Sequence, residues 1–303
     1  MGTDIHTTRF TVDRVAHELA RQIAVPLEPG LYLVATPIGN LADITIRALG
    51  VLVRADIILC EDTRHSRTLL QHYGVGGALR PFHEHNEDQE RPRILSALSN
   101  GKVVALISDA GTPLVSDPGY KLVREAAALG HPVVSIPGAS ALLAAITASG
   151  LPPDSFHFAG FLPSREVARR TRIAELADVP GTLIFYEAPT RVAEAVADLA
   201  DVLGPRPAAL ARELTKLHEE VVRLPLDRLA DQLAREPIKG EIVIVVGPPV
   251  ETVVDDDRVL QELDLSAATM SLRDAARAVA DKLGIPKARA YDLALKRQRE
   301  RDG

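Results

Sequence analysis

Apolar positions recur along this chain with two spacings, and the switching between them lays out its elements. Residues 31–35 (LYLVA), 56–60 (DIILC), 103–107 (VVALI) and 133–136 (VVSI) are short apolar runs, the pattern of strands buried on both faces of a parallel sheet. A loop follows each run, and helical spacing then resumes: at Ile46, Leu49 and Val53, at 63–70 before Gly74, at 120–129 before Gly130, and at 141–148. Strand, loop and helix repeated in this way predict a parallel, doubly wound α/β domain ending near Gly150. Residues 151–153 (LPP) read as a linker.

The second half is patterned differently. Candidate strands fall at 156–161, 182–186, 207–213, 221–226 and 241–246, with helices at about 165–177, 191–203 and 227–235. No helix separates the strands at 207–213 and 221–226, so a mixed sheet is expected. Upstream of residue 31, Val12, Val15, Ala16, Leu19, Ala20 and Ile23 predict an amphipathic helix for packing or dimer contact. Downstream of residue 250, an acidic connector (251–257, ETVVDDD) leads to two helices. The first opens on Ser271 and Asp274 in a capping-box-like arrangement, and the second carries Arg289, Lys296, Arg297, Arg299 and Arg301. The expected organisation is therefore an extension (1–30), a parallel α/β domain (31–150), a mixed α/β domain (151–250) and a basic helical hairpin (258–303) suited to nucleic acid or to solubility.

Composition narrows the class. With 303 residues, 46% hydrophobic and 25% charged, the chain can bury a core larger than one ordinary domain needs. A net charge of −6 argues against coating nucleic acid by bulk attraction but leaves room for a local basic patch. The one cysteine, Cys60, excludes an internal disulfide and a cysteine-rich zinc module, and suits a reducing cytoplasm. No apolar stretch reaches the roughly 18 residues of a membrane span, and no basic-then-apolar leader pattern is present, so a cytoplasmic protein without a membrane partner is expected.

Candidate chemistry gathers at strand ends, where open α/β sheets bind ligands. Residues 36–40 (TPIGN) hold a single glycine, so they form neither a dinucleotide fingerprint nor a P-loop. Glu61, Asp62 and Arg64 bring two carboxylates and a guanidinium to one place, fit to orient a polar substrate or to pair with each other. His83 and His85 have the spacing of a same-face pair on a strand but no identifiable third metal ligand, and a polar loop meeting substrate is the better reading. Asp109, Gly111 and Thr112 open a turn-rich loop suited to holding a cofactor. Gly138 and Ser140 resemble half of a nucleophile elbow, but Leu142 stands where that motif needs glycine, which leaves Ser140 as a hydrogen-bonding turn residue. Arg165, Arg169, Arg170 and Arg172 form a basic run, either a solvated helix face or a phosphate contact. Tyr186, Glu187 and Arg191, and Arg212, Glu213, Thr215 and Lys216, sit at two more strand ends, which points to a shared cleft.

Taken together, ATPIGNLADIT (35–45), EDTRHS (61–66), SDAGTPLVSDPG (108–119), PGAS (137–140), FYEAPTR (185–191), ARELTK (211–216) and KGE (239–241) closely resemble the ribosomal RNA small subunit methyltransferase I family. That family is a branch of the tetrapyrrole methylase fold, and the likeness spans 31–248, with a basic tail also similar to the family's end. The resemblance implies a two-domain class III methyltransferase fold with a small C-terminal helical module. It implies an S-adenosylmethionine-dependent homodimer that methylates the ribose 2′-hydroxyl of a cytidine in the decoding region of 16S rRNA, in the small ribosomal subunit. Carried over by position, Pro37, Ile38, Gly39, Asp109, Gly111, Thr112, Ser140, Ala141, Tyr186, Leu214 and Glu241 would bind the cofactor. Glu61, Asp62, Arg64 and Lys216 would face the nucleotide, with Arg165, Arg169 and Arg170 as further RNA contacts. A ribose hydroxyl is a weak acid, so transfer needs a proton acceptor, for which Asp62 stands first and Glu61 second; no metal is required.

This sequence departs from the family at two places. Residues 161–172 (FLPSREVARRTR) keep the charge but not the lysine and glycine usual after the FLP turn, and the helix before residue 31 is not part of the usual pattern. Two alternatives stay open at this level: a tetrapyrrole C-methyltransferase, and a non-catalytic RNA- or ribosome-binding factor on the same fold.

Overall fold

The four apolar runs, joined by a strand at 78–81 that the pattern does not predict, become parallel strands of a first sheet in the computed structural model, which describes residues 5–249, 255–267, 270–283 and 285–302. They are β1 (Gly30–Val34), β2 (Ile57–Cys60), β3 (Ala78–Pro81), β4 (Val103–Ile107) and β5 (Val133–Ile136), ordered β3-β2-β4-β1-β5. The central strands read as continuous apolar runs because helices cover both faces: every residue of β2 and β4 is buried. Asp56, expected to open β2, instead ties the sheet together, its carboxylate accepting hydrogen bonds from Val103 N at 2.8 Å and Lys102 Nζ at 2.9 Å. Helices α2 (Ile46–Arg54), α3 (Thr63–His72), α4 (Glu87–Ser99), α5 (Tyr120–Ala128) and α6 (Ala141–Ser149) follow the strands in turn. They are preceded by α1 (Ile5–Ala24). His83 and His85 lie beyond the end of β3 in a loop, so the two-residue strand period does not put them on one face.

The second sheet contains β6 (Phe156–Phe161), β7 (Thr182–Glu187), β8 (Pro207–Arg212), β9 (Glu220–Pro225) and β10 (Ile242–Val246), ordered β6-β7-β10-β8-β9. Only β6 and β7 pair in parallel; the other three pairings are antiparallel, giving the mixed sheet that the missing helix between β8 and β9 predicts. Helices α7 (Glu166–Glu175), α8 (Val192–Leu203) and α9 (Leu226–Arg235) bury Ile173, Leu199 and Leu229 with Phe185 and Ile244 of the strands. The opposite face of this sheet is covered by α6. Leu142, Ala145 and Ile146 form one core with Ile184, Ala209, Val243 and Val245, so a helix that follows β5 of the first sheet is buried on the second. Its sequence, ALLAAITAS, is apolar over most of its length, and the face carrying Leu142, Ala145 and Ile146 is the buried one, while Leu143 stays 50% exposed. Both sheets and α1 belong to one compact unit, Met1–Pro249. Helix α1 approaches α2 at Gly50, where a Cβ would meet Gln22 Cβ at 3.0 Å, and it leaves Phe10, Val12 and Val15 exposed.

The second unit, Val250–Gly303, is helical. Where an acidic connector is expected, Asp256 and Asp257 instead begin a helix, α10 (Asp256–Ala267); residues 251–254 of that connector lie outside the described residues. Carboxylates in a first turn are favoured by the unpaired N–H groups there, which is why an acidic run is no bar to a helix. With α11 (Leu272–Leu283) and α12 (Lys287–Asp302) it encloses Val259, Leu263, Val279, Ala280 and Ala294. Ser271 Oγ accepts from Asp274 N at 3.2 Å and donates to the Asp274 carboxylate, completing the cap read from the sequence. Replacing Ser271 with alanine is expected to cost this unit about 1 kcal/mol, seen as faster amide exchange across α11. Among the described residues no helix is long and apolar enough to cross a membrane.

Candidate active site

Parallel pairing delivers the loops after β1, β4 and β5 to the same edge of the first sheet, and three sets of hydrogen bonds lock them together. Thr36 and Gly111 exchange backbone bonds of 2.9 and 3.0 Å, and Thr36 Oγ1 donates to the Ser108 carbonyl at 2.9 Å. Thr112 Oγ1 donates to the Ala139 carbonyl at 3.2 Å. Gly111 has φ +86°, and a Cβ there would meet Ile38 Cγ2 at 3.3 Å, so the backbone conformation and the close approach of the loops both favour glycine. Backbone strain marks the same region. Among the described residues, positive φ at non-glycine positions occurs at Leu114 and Ser116 in the loop after β4, and at Glu213 and Thr215 in the loop after β8. Such conformations cost about 1–3 kcal/mol each and cluster where function holds them.

These two loops face each other across a cleft of about 360 Å³. Ile38, Gly111, Thr112, Val115, Asp117, Ser140 and Ala141 line it from the first half of the unit; Phe161, Tyr186, Leu214, Glu241 and Val243 line it from the second. Eight of the eleven residues expected at a cofactor are thus brought together, namely Ile38, Gly111, Thr112, Ser140, Ala141, Tyr186, Leu214 and Glu241. Pro37, Gly39 and Asp109 do not line this cleft. Pro37 is buried, and Gly39 lies under the Lys216 side chain, where a Cβ would sit 2.4 Å from Lys216 Cγ. Asp109 lines a more open hollow with Glu61, Asp62, Arg64, His83 and His85, and its Oδ1 accepts from Asp62 N at 3.0 Å. Asp109 therefore positions the loop after β2 instead of lining the cleft.

Polar contacts hold the walls. The Tyr186 hydroxyl accepts from Leu142 N at 3.2 Å in the first turn of α6, with the rings of Phe158 and Phe161 edge-on at 4.8 and 5.8 Å. Burial pushes the Tyr186 phenol up, so it stays neutral. Asn40 N donates to Thr215 Oγ1 at 3.1 Å, fastening the loop after β1 to the strained loop after β8. Lys216 Nζ reaches Glu213 Oε1 at 3.0 Å and Glu241 Oε2 at 3.2 Å. Burial works against its charge, but these carboxylates prevail and raise its pKa, so Lys216 is a cation at neutral pH and no proton acceptor.

Several expected roles need correction. Asp62, first choice as proton acceptor, is the N-cap of α3: its Oδ1 accepts from Arg64 N at 2.8 Å while its carboxylate grips the Arg64 guanidinium, closest at 2.7 Å. The Arg64 side chain holds that carboxyl well below the ordinary range, and an anion so well satisfied is a weak base. Glu61 stands exposed in the same hollow. Arg169 is no RNA contact, being only 3% exposed with its Nε 2.6 Å from Asp198 Oδ2. Arg170 bridges Asp198 and Asp201, and Arg172 pairs with Glu175; Arg165 alone of the run is exposed and bears no ion pair among the described residues. In the second unit Arg289 and Arg297 are likewise engaged, by Asp256 and Asp264. The exposed groove there is lined by Arg273, Arg277, Lys287 and Tyr291.

Asp117 is the residue that sequence reasoning left without a role. It lines the cleft, and its Oδ2 is buried with no hydrogen-bond partner among the described residues. Burial pushes its carboxyl up to about 6, opposed by the Ser108 hydroxyl and aided by the nearby charges of Glu61 and Asp109. An acid in the SDPG turn is visible in the sequence, but its seclusion is not. Among the described residues no group of three or more His, Cys, Asp or Glu side chains is arranged to hold a metal ion.

Residues 30–230 match the family described as Tetrapyrrole (Corrin/Porphyrin) Methylases, and 253–298 match the RsmI C-terminal HTH domain. The chain is similar to Ribosomal RNA small subunit methyltransferase I of Mesorhizobium japonicum, 54% identical over 90% of this chain and 93% of that protein. It is also similar to the protein of the same name from Pseudomonas aeruginosa, 49% identical over 88% and 97%. The crystal structure of uroporphyrin-III C-methyl transferase from Thermus thermophilus, complexed with S-adenyl homocysteine, shares the fold at TM-score 0.51 and 23% identity, over 72% of this chain and 97% of that one.

Proposed function

Because the chain belongs to the ribosomal RNA small subunit methyltransferase I family, we propose that it methylates the ribose 2′-hydroxyl of a cytidine in the decoding region of 16S rRNA. At the coarser level, it is an S-adenosylmethionine-dependent methyltransferase of small-subunit ribosomal RNA. The likeness to the uroporphyrin enzyme is one of fold alone, and the 54% identity lies with the rRNA enzymes, so the tetrapyrrole substrate is set aside.

The observation that carries the reading is a cleft walled by both halves of the first unit, accompanied by a more open hollow with charged walls. The cleft fits the cofactor in kind. Its volume lies in the range of small-molecule sites, its walls are mainly apolar, and at Gly111 the backbone itself forms the cradle. Ile38, Leu214 and Val243 would hold the apolar part of S-adenosylmethionine, and Thr112 and Ser140 would meet its polar groups. When bound, it supplies a methyl group activated on a sulfonium. The chain's task is to hold a hydroxyl in line with that methyl, and positioning of this kind is worth about 7–11 kcal/mol.

Glu61, Arg64, His83 and His85 around the open hollow would receive the nucleotide, with Arg64 and the cationic Lys216 suited to phosphate. Exposed Arg165, and separately the groove of Arg273, Arg277 and Lys287 with the Tyr291 ring, offer charge and a stacking surface to the RNA strand. The same reading has the protein act as a homodimer on RNA within the small ribosomal subunit.

Mapping ribose methylation in small-subunit RNA, with and without the protein, tests it. The expected result is the loss of one 2′-O-methylcytidine from the decoding region. Loss of a base methyl would reject the sugar oxygen as acceptor, and unchanged RNA would reject the whole reading.

A further inference from the structure

Every carboxylate that borders the cleft or the hollow can be assigned an existing partner or a solvent-facing position, except one. Asp62 is held by Arg64, and Asp109 accepts from Asp62 N. Glu187 engages Arg191 and Ala188 N; Glu213 and Glu241 share Lys216. Glu61 faces solvent. Asp117 alone lines the cleft with a shielded oxygen, Oδ2, that nothing among the described residues satisfies. Its place is fixed: Leu114 and Ser116 are left-handed just before it, and two residues later Gly119, at φ +119°, packs so closely that a Cβ would sit 2.9 Å from both Leu106 Cδ2 and Leu114 Cδ2. The Ser108 hydroxyl serves this carboxyl, but a buried carboxylate oxygen left without a hydrogen bond is costly and calls for an explanation.

We infer that Asp117 is the catalytic base of methyl transfer, accepting the proton of the ribose hydroxyl in the cleft. The inference rests on the proposed ribose reaction. As the hydroxyl oxygen forms its bond to the methyl carbon, the carbon–sulfur pair returns to sulfur, leaving a neutral thioether, and the hydroxyl proton passes to Asp117, whose carboxylate becomes the neutral acid. The orphaned oxygen is the proton's destination. A carboxyl pushed up to about 6 is still ionised at neutral pH and is a better base than an ordinary carboxylate, as a matched proton acceptor should be. The groups around it are Ser108 and Asp109 of its own loop, Glu61 after β2, Tyr186 and Glu187 at the end of β7, and Glu241 before β10. Of these, Glu187 and Glu241 are offset by Arg191 and Lys216, and Tyr186 is neutral.

Asp117→Asn keeps the shape and removes the base. Turnover on small ribosomal subunits should fall about 10²- to 10⁴-fold, while affinity for S-adenosylhomocysteine, which carries no sulfonium, stays within about threefold by calorimetry. In the wild type, kcat/KM should rise with pH through about 6 and level off above it, and this limb should vanish in the variant. A third measurement needs no turnover. A folded-state pKa raised from 3.8 to about 6 means that the folded protein binds the proton more tightly than the unfolded chain, so stability is lost as pH rises through that window. Asp117→Asn should therefore melt higher than wild type at pH 7.5, with the difference vanishing below about pH 4. Turnover within tenfold of wild type with the acid limb intact would overturn the inference, as would a melting difference independent of pH. If the melting behaviour is as expected but the wild type methylates no ribose, the proposed reaction fails and the assignment of the base falls with it.

Discussion

Arg169→Ala will destabilise the protein by about 3–5 kcal/mol, the usual result of stripping one partner from a buried ion pair. The Arg169 side chain is 4% exposed and that of Asp198 8%, and the pair is joined at 2.6 Å between Nε and Oδ2. Removing the guanidinium leaves a buried carboxylate with only the half-exposed Arg170 for company, together with a void between α7 and α8. The urea midpoint should drop accordingly, while the affinity of the remaining folded molecules for RNA should be unchanged. Loss of RNA affinity at unaltered stability would instead restore this arginine as a phosphate ligand. Arg165→Glu supplies the contrast: exposed and unpaired among the described residues, it should shift stability by less than about 0.5 kcal/mol and lower RNA binding in a salt-dependent way.

Gly111→Val is expected to abolish cofactor binding in practice, raising the dissociation constant for S-adenosylmethionine at least about 100-fold. Two costs combine. A β-branched residue at φ +86° is strained by roughly 1–3 kcal/mol. Its Cβ would press on Ile38 Cγ2 at 3.3 Å and approach the Ala139 carbonyl at 3.6 Å, and its methyl groups have the cleft as their neighbour. The Thr36–Gly111 bridge holds the backbone on both sides, so the loop has no easy retreat. Gly111→Ala should fall between, and titration calorimetry measures both. Wild-type affinity in the valine variant would place the cofactor elsewhere.

Eight of the eleven cofactor residues that the family resemblance implies share one cleft, and their places in the fold explain why. Ile38, Gly111, Thr112 and Ser140 sit in loops that parallel strands deliver to one edge of the first sheet, Ala141 opens the helix that follows, and Tyr186, Leu214 and Glu241 lie at or beside strand ends of the second sheet. Asp109 shows the limit of that reasoning, because a strand-end carboxylate can face either of two adjacent hollows, and the choice is made by Asp62 N, 47 positions away. The same distance effect hides Arg169. A basic run reads as a solvated face unless the acid that buries it is known, and Asp198 lies 29 residues downstream on another helix. Helix α10 escaped for a different reason: its opening acids look like a linker, although a helix N-terminus favours them.

Periodicity and punctuation alone determine that this chain contains two α/β halves, one parallel and one mixed, followed by helices, because alternation and turn residues act over a few neighbouring positions. Tertiary structure alone decides that α6 covers the second sheet, that Arg169 is buried, that Asp62 is a cap and that Asp117 is left with an unsatisfied oxygen. Those outcomes depend on which charges and apolar faces meet across long stretches of chain, and burial, which sets both the basicity of a carboxylate and the worth of an ion pair, is a property of the assembled neighbours and not of any residue's place in the sequence.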